Sequence, residues 1–428
     1  MHAPFTTGAR IESVSNGESR RSRFRLVRRL GLFLVLVGLL AGAALLSRPH
    51  LRAWYHRRAA HAELQRYHTP QAIRHLLICR TIWPRDPETL LLAARAARRA
   101  RIYGDSERLL RDYRQVRGRD DAHALEQFLL AVECQVDAFS DSCWKCLHEG
   151  RYEAALLLEA LTRGYLRQYR LGEAYLCLKH WKQMQPDNPQ VFYLEGLLRL
   201  DYQEDRAAAE ESYRRALELD PDHEEARLGL AVALLLGKNY SQAAGHFQRL
   251  LQDQPDNLRV QVGLAECFDG LGETAEAVQR VDEVLAQQPG FPSALSLRGQ
   301  IALKSGQLDQ AESYLRQALR RNPMDRRARY DLVLCLERSG QNEEALQQRR
   351  QLQQMEEDMA RFNEIVLKEI TQRPTDPALH CTLGEILLRA GQRDEGLRWL
   401  RSALQLDPNY ALARQILAEH MGQANGKP

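Results

Sequence analysis

Cys143-Trp144-Lys145-Cys146 is the one place in the sequence where two thiols stand at a spacing suited to redox or metal chemistry, and His148 follows two residues later. A closed zinc site needs a second pair at similar spacing, and none follows. Haem attachment needs histidine directly after the second cysteine, where Leu147 stands. Disulfide exchange at such a pair needs a βαβ setting, which the sequence lacks. A structural role is expected for both thiols. Cys79, Cys134, Cys177, Cys267, Cys335 and Cys381 fall mostly at apolar helical positions and read as small buried hydrophobes. His61, His68 and His75 recur every seven residues as a ligand row would, but the Thr69-Pro70 break splits them between two helices. They are expected at the surface. Gly237-Lys238 lacks the upstream glycine of a phosphate loop, and neither a His-Glu-x-x-His helix nor a Gly-x-Ser-x-Gly elbow occurs. The chain is therefore expected to be no enzyme, with no catalytic residue, cofactor or metal.

With no catalytic constellation, the elements themselves must carry the function. At 428 residues the chain exceeds the size at which one core stops growing, so it divides into domains or lengthens by stacking. Aromatics are only 7% and no alternating Val, Ile and Thr run suggests a sheet, so an all-α fold is expected. Charge is split: residues 1–119 hold 24 Lys and Arg against 8 Asp and Glu, and the remainder holds 36 against 48. A basic stretch beside an apolar one suits anionic lipid, whereas the acidic remainder argues against nucleic acid as a partner. Beyond residue 70, arginines that merely solvate helix faces are an equal alternative.

Residues 30–46 (LGLFLVLVGLLAGAALL) carry no charge over 17 positions, the lower limit for crossing a bilayer. Arg10, Arg20, Arg21, Arg23, Arg25, Arg28 and Arg29 precede them; Arg48, Arg52, Arg57 and Arg58 follow. The heavier cluster stays in the cytoplasm, which puts the rest of the chain outside it. The expected organisation is a single-pass membrane protein: a basic, disordered tail over 1–29, then a transmembrane helix or signal anchor over 30–46. Ala41-Gly42-Ala43 resembles a cleavage site, leaving open a secreted or periplasmic product; a cytoplasmic array is the other alternative.

Prolines at 186, 221, 255, 289 and 323 are spaced by 35, 34, 34 and 34 residues, and Pro374 to Pro408 is again 34. Pro84 lies 102 residues before Pro186, three such periods. Proline removes an amide donor and stops a helix, and the Asp or Asn that follows can cap the next. Twelve residues before these prolines stand Ala72, Ala174, Ala209, Ala243, Ala277, Ala311 and Gly396, small enough for paired helices to approach. Gly196, Gly299 and Gly384 lie mid-way along first helices, and turns such as Gly272-Glu273, Gly306-Gln307 and Gly391-Gln392 separate the two helices of a unit.

This pattern resembles the tetratricopeptide repeat family. In its register, units start near residues 53, 87, 121, 155, 189, 224, 258, 292, 326 and 377. The match is weak over 53–188, read as degenerate repeats, where Gly118 and Tyr152 stand at positions that call for proline. It strengthens over 189–373 and again over 377–422, where Tyr410 to Met421 has the spacing of a capping helix. The resemblance implies a right-handed superhelical solenoid whose concave face, lined by the first helices, holds a segment of a partner protein. The inward positions it implies are Tyr193, Leu197, Leu228, Val232, Val262, Glu266, Ser296, Gln300, Tyr330 and Leu334. They lack the basic and amide set that family members use to grip a C-terminal carboxylate, so an extended or helical segment with apolar anchors fits better.

One departure breaks the period. Between Pro323 and Pro374 the gap is 51, and no proline interrupts residues 341–373. A single long helix is expected there. Leu352, Met355, Met359, Phe362 and Val366 recur at the spacing of a coiled-coil seam, which either packs inside the stack or makes a homodimer. The function expected is a membrane-anchored protein–protein interaction scaffold. A regulatory or assembly subunit of an envelope enzyme or of a secretion or biogenesis complex is the alternative, and a redox or metal protein a more distant one.

Overall fold

The structure, a computed structural model, describes residues 47–203 and 205–422. The tail at 1–29 and the apolar run at 30–46 lie outside the described residues. Within them no helix is long and apolar enough to cross a membrane, and there is no strand.

Helices succeed one another with turns of a few residues. After α1 (47–65) come α2 (Thr69–Ile82), α3 (Pro87–Arg99), α4 (Tyr103–Arg117), α5 (Asp121–Cys134), α6 (Val136–His148), α7 (Ala154–Arg167) and α8 (Leu171–Met184). They continue as α9 (Pro189–Asp201), α10 (Arg206–Leu219), α11 (Glu224–Leu236), α12 (Tyr240–Asp253), α13 (Leu258–Leu271), α14 (Thr274–Gln287), α15 (Pro292–Lys304), α16 (Leu308–Arg321) and α17 (Arg326–Arg338). The long α18 (Asn342–Glu364) runs through a π-helical turn, Ile365–Glu369, into one last turn, α19 (Ile370–Gln372). The chain ends on α20 (Pro377–Arg389), α21 (Arg393–Leu406) and α22 (Ala411–Gly422).

The residues after each proline start the next helix. Asn188, Asn257, Asp325 and Asp376 accept from the backbone N–H of Gln190, Val260, Ala328 and Ala378, so orphan donors of α9, α13, α17 and α20 are satisfied. Within a unit the reversal runs through a residue in the left-handed region. Gly272, Gly306, Gly340 and Gly391 take it without steric cost, at φ from 75° to 86°. Tyr67, Arg101, Tyr169 and Lys238 take the same conformation at φ from 59° to 66° although they carry side chains.

Packing follows the small residues. Ala209, Ala243, Ala277 and Ala311 are fully buried where second helices meet their neighbours. The Tyr213 ring from α10 lies between α9 and α11, directly over the bare α-carbons of Gly196 and Gly229. At the C-terminus Ala413, Ile416 and Leu417 of α22 close over Cys381, Leu397 and Leu400.

Both ends of the array return to its middle. One core joins Val136, Leu157, Leu161, Trp181 and Leu194 to Ile365, Val366, Leu383 and Trp399, so α18–α21 seat on α5–α9. At that seam Tyr169 meets the Phe362 ring edge-on, with centroids 4.7 Å apart, and donates to Gln392 Oε1 at 3.1 Å. At the other end the α1–α2 turn leans on two later turns: His68 Nε2 is 2.5 Å from Asp220, Arg74 pairs with Glu224 at 2.6 Å, and Tyr67 packs edge-on against Trp181.

One sequence expectation is corrected here, and of the two readings of the α18 stripe the structure favours packing within the stack. His68 is not a surface histidine but a buried one, bridging Glu63 and Asp220. The α18 stripe is not free for a second copy: Leu352 and Val366 are buried and Phe362 packs on Tyr169, leaving Met359 exposed. The C-terminal end of the seam is occupied within the chain, where Phe362 and Val366 join the core at the α7–α8 turn.

Candidate partner-binding groove

Stacked two-helix units turn their first helices toward one side, and the side chains that meet there identify the inner face. Arg327 at the start of α17 reaches past α15 to form an ion pair with Glu266 of α13, and donates to Gln300 of α15 at 2.8 Å. A pair bridging alternate units requires those first helices to share one concave side. Glu266 and Gln300 are therefore brought together there.

The inward positions divide into two groups. Leu228 and Val232 on α11, Val262 on α13, Ser296 on α15 and Leu334 on α17 are buried or half-buried along one continuous surface. Tyr330 stands out of it, 52% exposed, next to Arg327 at 51%. Tyr193 and Leu197 on α9 are different. They pack on the core that joins α5–α9 to the C-terminal helices, and burial pushes the Tyr193 hydroxyl up to about 12. The chain itself covers this end of the groove.

Upstream of α9 the inner side is filled with charge. Arg98 pairs with Glu126 at 2.6 Å and with Glu133; Arg99 meets Glu159 at 2.9 Å, and Arg163 meets it at 3.2 Å. All six are buried, so these arginines do not solvate helix faces. Gln190 donates to Glu159 at 3.4 Å and accepts from His223 at 3.1 Å, which carries the network to the start of α11. Burial pushes the neighbouring Glu225 carboxyl up to about 7, against the pull of Arg163 and Arg99. Buried charge held this way is costly unless paired, and the pairing fills the space where a ligand would lie.

Several groove residues escaped the sequence reading. Arg327 supplies the bridging cation, and Lys304 pairs with Asp269 at 2.6 Å one unit earlier. Asp331 is buried beside them with Oδ2 unpartnered, and burial pushes its carboxyl up to about 6 even though Arg327 and Lys304 pull it down. A signal did exist. Glu225, Arg259 and Arg327 are charged residues at the second position of their helices, one turn before inward positions.

The cysteine pair lies mid-helix on α6. Cys143 is buried and its thiol is pushed up to about 12, mainly by burial and secondarily by Cys146. A reactive thiol needs the opposite shift. His148 Nδ1 is 2.7 Å from the Trp144 carbonyl of its own helix, and no cluster of three metal-ligating side chains occurs among the described residues.

Models of the tetratricopeptide repeat match residues 193–257, 235–301, 296–354 and 377–410. Residues 193–354 and 377–410 are tetratricopeptide repeats. The chain is 28% identical over 194 residues to a TPR repeat-containing protein of Pseudomonas aeruginosa, covering 45% of this chain and 30% of that protein. It is 30% identical over 101 residues to mouse (Mus musculus) DnaJ homolog subfamily C member 3, covering 24% of this chain and 20% of the other. The chain thus spans less than a third of either relative. Among solved structures, PilW, described as a widely conserved type IV pilus biogenesis factor, superposes with a TM-score of 0.41 at 22% identity, over 47% of this chain and 93% of PilW. The open stretch of groove, α11 to α17, lies wholly within the matched repeats.

Proposed function

We propose that this chain is a membrane-anchored scaffold that holds a segment of a partner protein along the inner face of α11, α13, α15 and α17. Residues 30–46 serve as the anchor, with the N-terminus in the cytoplasm and the repeats on the far side of the membrane. The observation that carries the binding surface is the contrast along the inner face: it is filled by the chain's own ion pairs up to α9, and from α11 onward it presents the half-buried Leu228, Val232 and Leu334 with Tyr330 and Arg327 half-exposed above them. Apolar anchors edged by a few charges suit an extended or helical segment.

The experiment is site-specific photocrosslinking of the full chain in its own cells, with the photoreactive residue placed at Tyr330 or, as a control, at Gln279 on the outer helix α14. Recurrent crosslinks from position 330 that are lost with Val232→Glu and absent from position 279 would support the reading. Equal crosslinking from both positions, or persistence with Val232→Glu, would overturn it. Fractionation of the same cells tests the anchor, since release of the intact chain by salt or alkali contradicts a span.

A further inference from the structure

Between residues 47 and 85 the sequence carries eight arginines and a single acid, Glu63. Helix α1 is described from residue 47, one position past the apolar run, and turns Ala53, Ala60 and Leu64 into the core. Arg48, Leu51, Arg52, Tyr55 and Arg58 recur at helical spacing on its outer face. Leu51 and Tyr55 are each 62% exposed and Trp54 49%.

The end of α2 adds to the same surface. Arg48 and Arg52 face Leu77, Ile78 and Ile82 across an open hollow of about 600 Å³, and Leu77 is 58% exposed. Neither Arg48, Arg52 nor Arg80 makes an ion pair among the described residues. Arg57, on the inner side of α1, contrasts with them: it pairs with Asp86 at 3.1 Å and Glu88 at 2.9 Å. The outward arginines are thus not part of the network that holds the fold.

Unpaired guanidiniums around exposed leucine, tryptophan and tyrosine match the two layers of a bilayer interface, phosphate outside and glycerol or acyl chain beneath. An acidic protein would answer the charges, but the distance along the chain decides between them. Residue 48 is two residues from the last residue of the apolar run, a span of at most about 7 Å. We propose that α1 and the end of α2 form a lipid-docking face that lies on the headgroups of anionic phospholipids and fixes the orientation of the array against the membrane. This rests on the membrane placement proposed above and adds to it a specific contact surface.

The test uses the full chain in nanodiscs of phosphatidylcholine alone or with roughly one-third phosphatidylglycerol, with brominated or plain acyl chains, and reads Trp54 emission as the difference from Trp54→Phe. Bromine should quench Trp54 in the anionic discs, and raising NaCl to about 0.5 M should relieve it, because screening shortens the reach of the charges. One guanidinium near an anionic surface contributes about fivefold to partitioning, so Arg48→Gln with Arg52→Gln should shift the docked-to-free ratio about 25-fold. If the chain stays in the disc while Trp54 is unquenched in either lipid, or if the double variant leaves quenching unchanged, the docking face is refuted and the anchor stands. If the chain does not associate with discs at all, the membrane placement fails, and the inference fails with it.

Discussion

Replacing Gly196 with alanine tests how the repeats are held at their distance. A Cβ on Gly196 would lie 2.6 Å from Tyr213 Cε1, and one on Gly229 would lie 2.5 Å from Cζ of the same ring, about 1 Å inside ordinary contact. Tyr213 is only 2% exposed and is enclosed from both sides, so it has nowhere to swing. Overpacking of a closed core costs about 1–3 kcal/mol, and alanine returns about 1 kcal/mol of helix propensity over glycine. The expected net change is a loss of up to about 2 kcal/mol. Gly245, exposed on α12 with nothing within 4 Å of its would-be Cβ, should give the opposite sign, a gain of about 0.5–1 kcal/mol. Urea unfolding followed by helical ellipticity reads both variants. Because repeat arrays unfold in segments, hydrogen exchange of α9–α11 amides localises the change. In Gly196→Ala with Tyr213→Leu the smaller side chain should recover most of the alanine penalty as a coupling term. If Gly196→Ala stabilises the chain as Gly245→Ala does, the ring is not what requires glycine at that position, and the packing account is wrong.

Two further outcomes follow from buried groups. The Asp331 carboxyl, pushed up to about 6 in the folded chain against an ordinary value near 3.8, contributes stability that is fully present below about pH 4 and lost as pH rises through 6. Urea midpoints at pH 5 and pH 7.5 should therefore differ more for the wild type than for Asp331→Asn, which should gain about 1–3 kcal/mol at the higher pH, discounted for partial solvation; equal gains at both pH values would refute the assignment. Cys143, with its thiol pushed up to about 12, should alkylate in the native chain far more slowly than the half-buried Cys146, and mass spectrometry of iodoacetamide time courses reads this directly. Faster modification of Cys143 would reopen the redox reading.

What the sequence made legible was whatever repeats. Proline period, small residues in register and left-handed turns at Gly272, Gly306 and Gly391 each recur, so a single chain supplies its own comparison. The capping helix and the long α18 follow from the same phase. The contacts that close the array were not legible, because they join turns of different units. His68 and Asp220 are 152 positions apart and Tyr169 and Gln392 are 223 apart, and no periodicity relates them. The same blindness affected charge: Arg98 and Arg99 look like solvated helix residues until Glu126, Glu133 and Glu159 are seen to arrive from other units. Eight of the ten inward positions fall on α11, α13, α15 and α17, the first helices to which the register assigns them. That Tyr193 and Leu197 are covered follows only from the closure.

The turns themselves show that closure is selected at some cost to local structure. A residue with a side chain in the left-handed region costs about 1–2 kcal/mol relative to its usual conformation, and glycine avoids it. Four units use glycine; Tyr67, Arg101, Tyr169 and Lys238 stand at the equivalent turn of others. Three of these four side chains meet another part of the array. Tyr67 packs on Trp181, Tyr169 holds Phe362 and Gln392, and Arg101 opposes the rise that burial imposes on the Asp201 carboxyl. Three of the four strained turns thus belong to units that form seams, with Lys238 between α11 and α12 the exception, and the glycine turns lie mainly along the open arc. An array pinned at both ends cannot stretch like a free solenoid, so its groove has a set length. First helices of neighbouring units lie about 8–10 Å apart, and α11 to α17 spans three such intervals, about 24–30 Å. That accommodates an extended segment of about 7–9 residues or a helix of about 16–20. A partner much longer than this must leave the groove at α9, where the buried ion pairs of Glu159 close it, or at α18, where Asp358 holds Arg389 of α20 at 2.7 Å.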